Sequence, residues 1–192
     1  MTAQTIYLED EFGPIVSAVS TALLPQLQLV NPRITGVHYE FGHPLEIIET
    51  LTEKQSGTTQ AFNRYPLVAL FLDIDPVDRG GQVGIYAEYT LHMAIIHATE
   101  PNYKALQRKE KVFKPILDPI YTELFKQIGN RGDLFQIEDR ELIQHRPVRR
   151  YYWGRQGLFG NTGNIFNDAV DCIEIKNLKL KVNINYCPKP IV

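Results

Sequence analysis

With two cysteines, Cys172 and Cys187, the 192-residue chain holds too little thiol for a disulfide framework or a four-cysteine metal cluster. Both lie in apolar, strand-like surroundings, where buried free thiols are expected. Its serines are Ser17, Ser20 and Ser56, none in the glycine-flanked turn of a nucleophile elbow. Long apolar runs are missing too: Leu67–Leu72 and Leu91–Ile96 are far shorter than the roughly 20 residues of a membrane span. The opening MTAQTIYLEDEFG has no basic stretch followed by an apolar core, so neither a secretory signal nor a membrane partner is expected.

No phosphate-binding loop is present. Gly154–Asn164 (GRQGLFGNTGN) has glycines at the wrong spacing and no Lys-Ser/Thr pair. The histidines His38, His43, His92, His97 and His145 show no metal-ligand spacing, with His92 and His97 on opposite faces of one strand and His145 alone. No catalytic set, metal centre or cofactor is therefore expected. Asp73, Asp75 and Asp78 at a strand end, with Glu88 on the next strand, leave open a metal-dependent nuclease using Asp73, Asp75 and Glu88. No lysine falls on those strands, and Asp-x-Asp-Pro reads equally as a strand-ending turn.

What is present is an ordinary globular balance, 44% hydrophobic and 22% charged, of a size for one domain over residues 1–192. The net charge of −2 conceals an asymmetry: residues 1–100 carry twelve acids and four Lys/Arg, residues 101–192 ten and sixteen. Such halves either pair internally or face different ways, as in a ring built head to tail.

Phe12, Ile15, Val16, Val19 and Leu23 recur at helical spacing behind the acids Glu9–Glu11, and Pro25 ends this first helix or marks its last turn. Val37–Phe41 and Leu45–Leu51 read as short strands, Thr52–Asn63 as a loop, and Leu67–Leu72 as a strand covered on both faces. Pro76–Gly84 is a joint. Beyond it Ile85, Ala87, Tyr89, Leu91, Met93 and Ile95 alternate with Tyr86, Glu88, Thr90, His92 and Ala94, the pattern of a long half-covered strand.

From 103 to 128 the period becomes helical. Leu106, Val112, Phe113, Ile116, Leu117, Ile120, Leu124 and Ile128 form the apolar face; Lys104, Arg108, Lys109, Lys111 and Lys126 form a basic one. Pro115 and Pro119 require a kink or two segments meeting near Lys114-Pro115. Leu134–Ile137 and Val148–Trp153 are further strand candidates. Ala169–Ile175 and Leu178–Tyr186 slip phase at Lys176-Asn177, where a bulge or tight connection is expected. The fold class is thus α+β: a mixed, mostly antiparallel sheet of about five or six strands, with an N-terminal helix and a long proline-kinked helix packed on it. An irregular, interface-forming insertion falls at about 131–167.

The most concentrated recognition chemistry is Arg146-Pro-Val-Arg-Arg-Tyr-Tyr-Trp-Gly-Arg155. Arg146, Arg149, Arg150, Tyr151, Tyr152, Trp153, Arg155 and Phe159 are the candidate interface residues, because arginine and aromatics dominate interface energetics. The same residues leave open a nucleic-acid-binding module that stacks bases and grips phosphate.

The helix around Phe12–Leu24, Arg64-Tyr-Pro-Leu-Val-Ala-Leu-Phe, the strand Ile85–Ile96 after a glycine-rich loop, and the helix Lys104–Ile128 together resemble, in element order, the small α/β proteins at the head–tail junction of tailed bacteriophages, especially tail terminator or tail completion proteins. FKPILDPIY followed by YWG and GNIFNDAVDCIEI is similar to segments of other phage-associated proteins. The resemblance implies a non-enzymatic virion protein, assembled in the host cytoplasm as a head-to-tail ring and contacting other neck or tail proteins, with incidental DNA contact in a central channel. It implies ring-axis contacts for Thr52–Asn63 and Asp78–Gly84, and neighbour contacts for Arg146–Arg155 and Gly154–Asn164. The irregular stretch Arg131–Asn167 and the proline-broken helix depart from compact members, leaving terminator, stopper and adaptor roles open.

Overall fold

A computed structural model describes residues 7–43, 46–47, 64–71, 75–77, 86–137, 143–151 and 170–183. The elements run α1 (Leu8–Val30), β1 (His38–Gly42), β2 (Leu67–Phe71), β3 (Asp75–Val77), β4 (Tyr86–Ala98), then a continuous helix of α2 (Ala105–Arg108), a π segment (Lys109–Leu117) and α3 (Asp118–Gly129), and last β5 (Arg146–Arg150) and β6 (Val170–Asn183). The sheet order is β1-β2-β4-β6-β5, with β3 also on β4. Only β1 and β2 pair parallel among the described strands; the rest are antiparallel. The expected α+β architecture is what the chain adopts.

Burial explains the layers. One sheet face, with Val68, Leu70, Leu91, Met93, Ile95, Ile173 and Ile175, packs under the helices through Phe12, Val16, Val19, Ile116, Ile120 and Leu124. The other face carries a smaller cluster of Leu67, Ala69, Phe71, Ala94, Ile96 and Cys172. Strand β2 is buried at every residue, as an apolar run covered on both sides requires. Towards the start of β4 Tyr86 is exposed and Ala87, Glu88, Tyr89 and Thr90 are all half-buried, whereas from Met93 to His97 both faces are buried.

The phase slip at Lys176-Asn177 is a β-bulge within one strand. Leu91 pairs with Leu178 but Met93 with Ile175, so Lys176 and Asn177 together oppose His92. Asn177 takes φ 53°, a left-handed conformation that asparagine tolerates, and its N–H donates to His92 Nδ1 at 3.4 Å. The extra residue returns Leu178, Leu180 and Val182 to the face of Ile173 and Ile175.

Several boundaries differ from expectation. Helix α1 runs through Pro14 and Pro25 to Val30, because burial of Leu27 holds the last turn on the core and Asn31 N–H caps Leu27 O at 2.9 Å. It is therefore long and apolar enough, by length and composition, to cross a membrane, although here its Phe12–Leu27 stripe is buried under the fold. Glu46 and Ile47 are helical where a strand was expected. Asp75–Val77, read as turn and joint, adds β3 to the sheet. Leu134–Ile137 contributes only the bridge Phe135 to Val182, and the expected strand Val148–Trp153 is instead Arg146–Arg150.

The long helix accommodates Pro115 without breaking. Buried Arg108, Val112, Ile116, Ile120, Leu124 and Ile128 recur every fourth residue. Each such step overshoots a 3.6-residue turn by about 40°. The π segment unwinds the helix where this repeat and Pro115 coincide, which keeps the row on the core.

Candidate functional site

Of the candidate interface residues, Arg146, Arg149, Arg150 and Tyr151 are described; Tyr152, Trp153, Arg155 and Phe159 lie outside the described residues, as do Thr52–Asn63 and Asp78–Gly84. Arg146–Arg150 form β5, the last strand of the sheet beside β6. Two of its three arginines pair within the chain. Arg149 Nη2 donates to Asp118 Oδ1 at 2.7 Å, and Arg150 Nε donates to the largely buried Glu174 at 2.6 Å, which holds the guanidinium charge on more firmly. Tyr151, beyond the strand, sets its half-exposed ring edge-on to Phe113 at 5.5 Å. The strand is a charged, proline-bearing edge, a form that discourages indiscriminate strand addition.

His145 is not alone. Its ring stacks on Phe125 at 4.2 Å; Nδ1 lies 2.6 Å from Ile143 O, and Nε2 meets the Tyr121 hydroxyl. Nδ1–H donates to the carbonyl, which orients the ring with Nε2 towards the phenol. Burial raises the Tyr121 hydroxyl, against a lowering effect of Arg149.

Arg108 departs furthest from expectation. Assigned to the solvent-facing basic side, it is 1% exposed, and its partner Asp171 is 0% exposed. Arg108 Nη1 donates to Asp171 Oδ1 at 2.6 Å and to Thr99 Oγ1 at 3.3 Å; Nε reaches Tyr103 O at 2.9 Å and Nη2 reaches Glu100 O at 3.1 Å. One guanidinium thus ties the helix start to the β4–α2 connection and to β6. The sequence signal for this was available: Arg108 begins the four-residue apolar row, whereas Leu106 is exposed.

Beside this node a cavity of about 620 Å³ opens between the end of α1, the end of β4 and the π segment. Ile34, Val112 and Ile116 give it apolar walls; Tyr65, His97, Tyr103 and Lys111 give it polar ones. His97 is 7% exposed, its Nδ1 has no hydrogen-bond partner among the described residues, and burial lowers its pKa to about 4. The imidazole is therefore neutral at physiological pH.

Among the described residues, no three of His, Cys, Asp and Glu gather to hold a metal. Asp73 and Asp78 lie outside the described residues; Asp75 is opposite Thr90, and Glu88 opposite Val77 and Lys181. Cys172 is a buried free thiol, pushed well up by burial and then by Glu174; Cys187 lies outside the described residues. No protein-family model and no curated protein sequence matches the chain.

Proposed function

We propose that this chain is a structural subunit of a tailed bacteriophage, forming a ring at the head–tail junction or the end of the tail tube and acting through subunit contacts. The observation that carries the ring reading is the placing of charge; the phage setting rests on the resemblance in element order. Glu11 at the start of α1 pairs with Arg131 just past the end of α3 at 3.0 Å, whereas Val30 and Asn31 at the end of α1 line one cavity with the π segment. The helices are thus antiparallel, with the acids Glu9 and Asp10 at one end and Arg33, Lys104, Lys109 and Lys111 at the other. Unlike ends of this kind suit a heterologous contact, which repeats around a ring; a two-fold dimer needs a self-complementary patch instead.

Arg149 and Arg150 each engage a carboxylate within the chain, which occupies them against phosphate and protein partners alike, so the ring reading rests on the helix ends and not on β5. The test is sedimentation velocity and negative-stain imaging of the full chain, alone over a wide concentration range and mixed with the structural proteins encoded beside it. Rings, alone or on a partner, are expected. A monomer under every condition refutes the proposal.

A further inference from the structure

The basic end of the helix layer has the form of a socket. Its cavity volume lies in the range that takes up an organic group of useful size. The interior is amphipathic: the Tyr65 ring stands edge-on to His97 at 6.3 Å, and Lys111 Nζ lies 4.6 Å from the centre of the Tyr103 ring. At the same end, Leu29 is 89% exposed, and Val30 and Leu106 are also exposed. Val30 also lines the cavity, and exposed apolar side chains beside a part-polar cavity suit a protein contact. The cavity wall is also the π segment, a helical form that recurs at functional sites.

The acidic end has a matching projection. Tyr7, just before α1, is 58% exposed, and Glu9 and Asp10 follow it; no described cation pairs with either acid. Burial first, and then the charges of Glu9 and Asp10, push the neighbouring Tyr39 hydroxyl far up, a sign of the negative field there.

We propose that Tyr7 of one copy seats in the His97 cavity of a second copy, with Glu9 and Asp10 against Lys104, Lys109 and Lys111. This contact rests on the reading of the chain as a self-assembling subunit and names the surfaces involved. A tyrosine suits both parts of the cavity: its ring packs on Ile34, Val112 and Ile116, and its hydroxyl meets the polar part of the lining. The cavity lining itself is balanced, Arg33 and Lys111 against Glu100 and Glu110; the excess of positive charge comes from Lys104 and Lys109, next to lining residues in the chain, and from Lys114, which holds Glu110 at 2.7 Å. Each copy retains one projection and one socket, so the contact propagates until it closes.

The test measures assembly of the full chain by sedimentation velocity, under whichever condition assembles the wild type, for Tyr7→Ala, Lys111→Glu and the swap Asp10→Lys with Lys111→Glu. Circular dichroism confirms that each variant is folded. Each single change is expected to weaken assembly at least about tenfold, as expected for an interface tyrosine or charge contact, and the swap to recover most of the loss relative to Lys111→Glu. Unchanged assembly in both single variants overturns the contact while leaving the ring proposal standing. Loss with Lys111→Glu but not Tyr7→Ala puts a different segment in the socket and overturns the assignment to Tyr7. A wild-type chain that never assembles overturns both.

Discussion

Replacing Arg108 by methionine removes the guanidinium while keeping a flexible chain of similar reach. Four acceptors lose their donor: Asp171 Oδ1, Thr99 Oγ1 and the carbonyls of Tyr103 and Glu100. The largest cost is Asp171, a carboxylate with 0% exposure whose facing cation is gone. Breaking one side of such a pair costs about 3–5 kcal/mol, or about 6–20 °C of melting temperature at about 2–4 °C per kcal/mol for a chain of this size. Urea unfolding of Arg108→Met, Asp171→Leu and the double variant measures it. The double variant is expected to be less destabilised than the two singles added together, by about 1–3 kcal/mol, because it removes the buried carboxylate along with the guanidinium. The unpaired carbonyls keep it below the wild type. A loss under about 1 kcal/mol for Arg108→Met, or strict additivity, refutes the idea that this pair locks the helix start to the sheet. Thr99, Glu100 and Tyr103 also line the His97 cavity, so the same variant is expected to weaken assembly.

Three further outcomes are expected. Burial keeps His97 neutral down to about pH 4, whereas an unfolded histidine protonates near 6.5. The unfolded state therefore takes up the proton first as pH falls: the contribution is complete above about pH 6.5 and is lost towards pH 4, by about 3 kcal/mol. Urea titrations at about pH 7 and about pH 4 should show His97→Phe losing less than the wild type; equal losses count against a neutral buried imidazole. At the bulge, Asn177→Val places a β-branched residue at φ 53° and is expected to cost about 1–2 kcal/mol, while Asn177→Gly stays near wild type by thermal melting. In a Cys187→Ser background, Cys172 should resist a thiol reagent until the chain unfolds, since burial keeps it protonated; rapid native labelling would show the thiol to be accessible.

The elements legible in the sequence are those whose burial pattern is local. Continuous apolar character in Leu67–Leu72 marked a strand covered twice, and alternation in Ile85–Ile96 marked one covered unequally, since side chains on a strand change face at every residue. The slip at Lys176-Asn177 was legible for the same reason. What was not legible depends on partners distant in sequence. The cavity is assembled from the end of α1, the end of β4 and the π segment, and no spacing rule connects His97 to Ile34 or Val112. The ion pairs of the exposed Arg149 and Arg150 were not legible because Asp118 and Glu174 are remote along the chain but adjacent across the fold.

The long helix shows how one local parameter controlled both a success and an error. Its apolar residues were recognised, but a uniform 3.6-residue turn, extended back from Ile128, turns Leu106 inward and Arg108 outward, the reverse of their exposures. Every described residue of the four-residue row from Arg108 to Ile128 is buried, and a regular α-helix would carry that row around its axis. Pro115, which donates no N–H, sits where the winding relaxes. The proline that argued for a broken helix thus coincides with the feature that keeps the helix facing one core. Keeping that row in phase delivers the Arg108 guanidinium to Asp171 and sets Val112 and Ile116 along the cavity wall. The helix winding, the buried ion pair and the cavity wall therefore depend on one another.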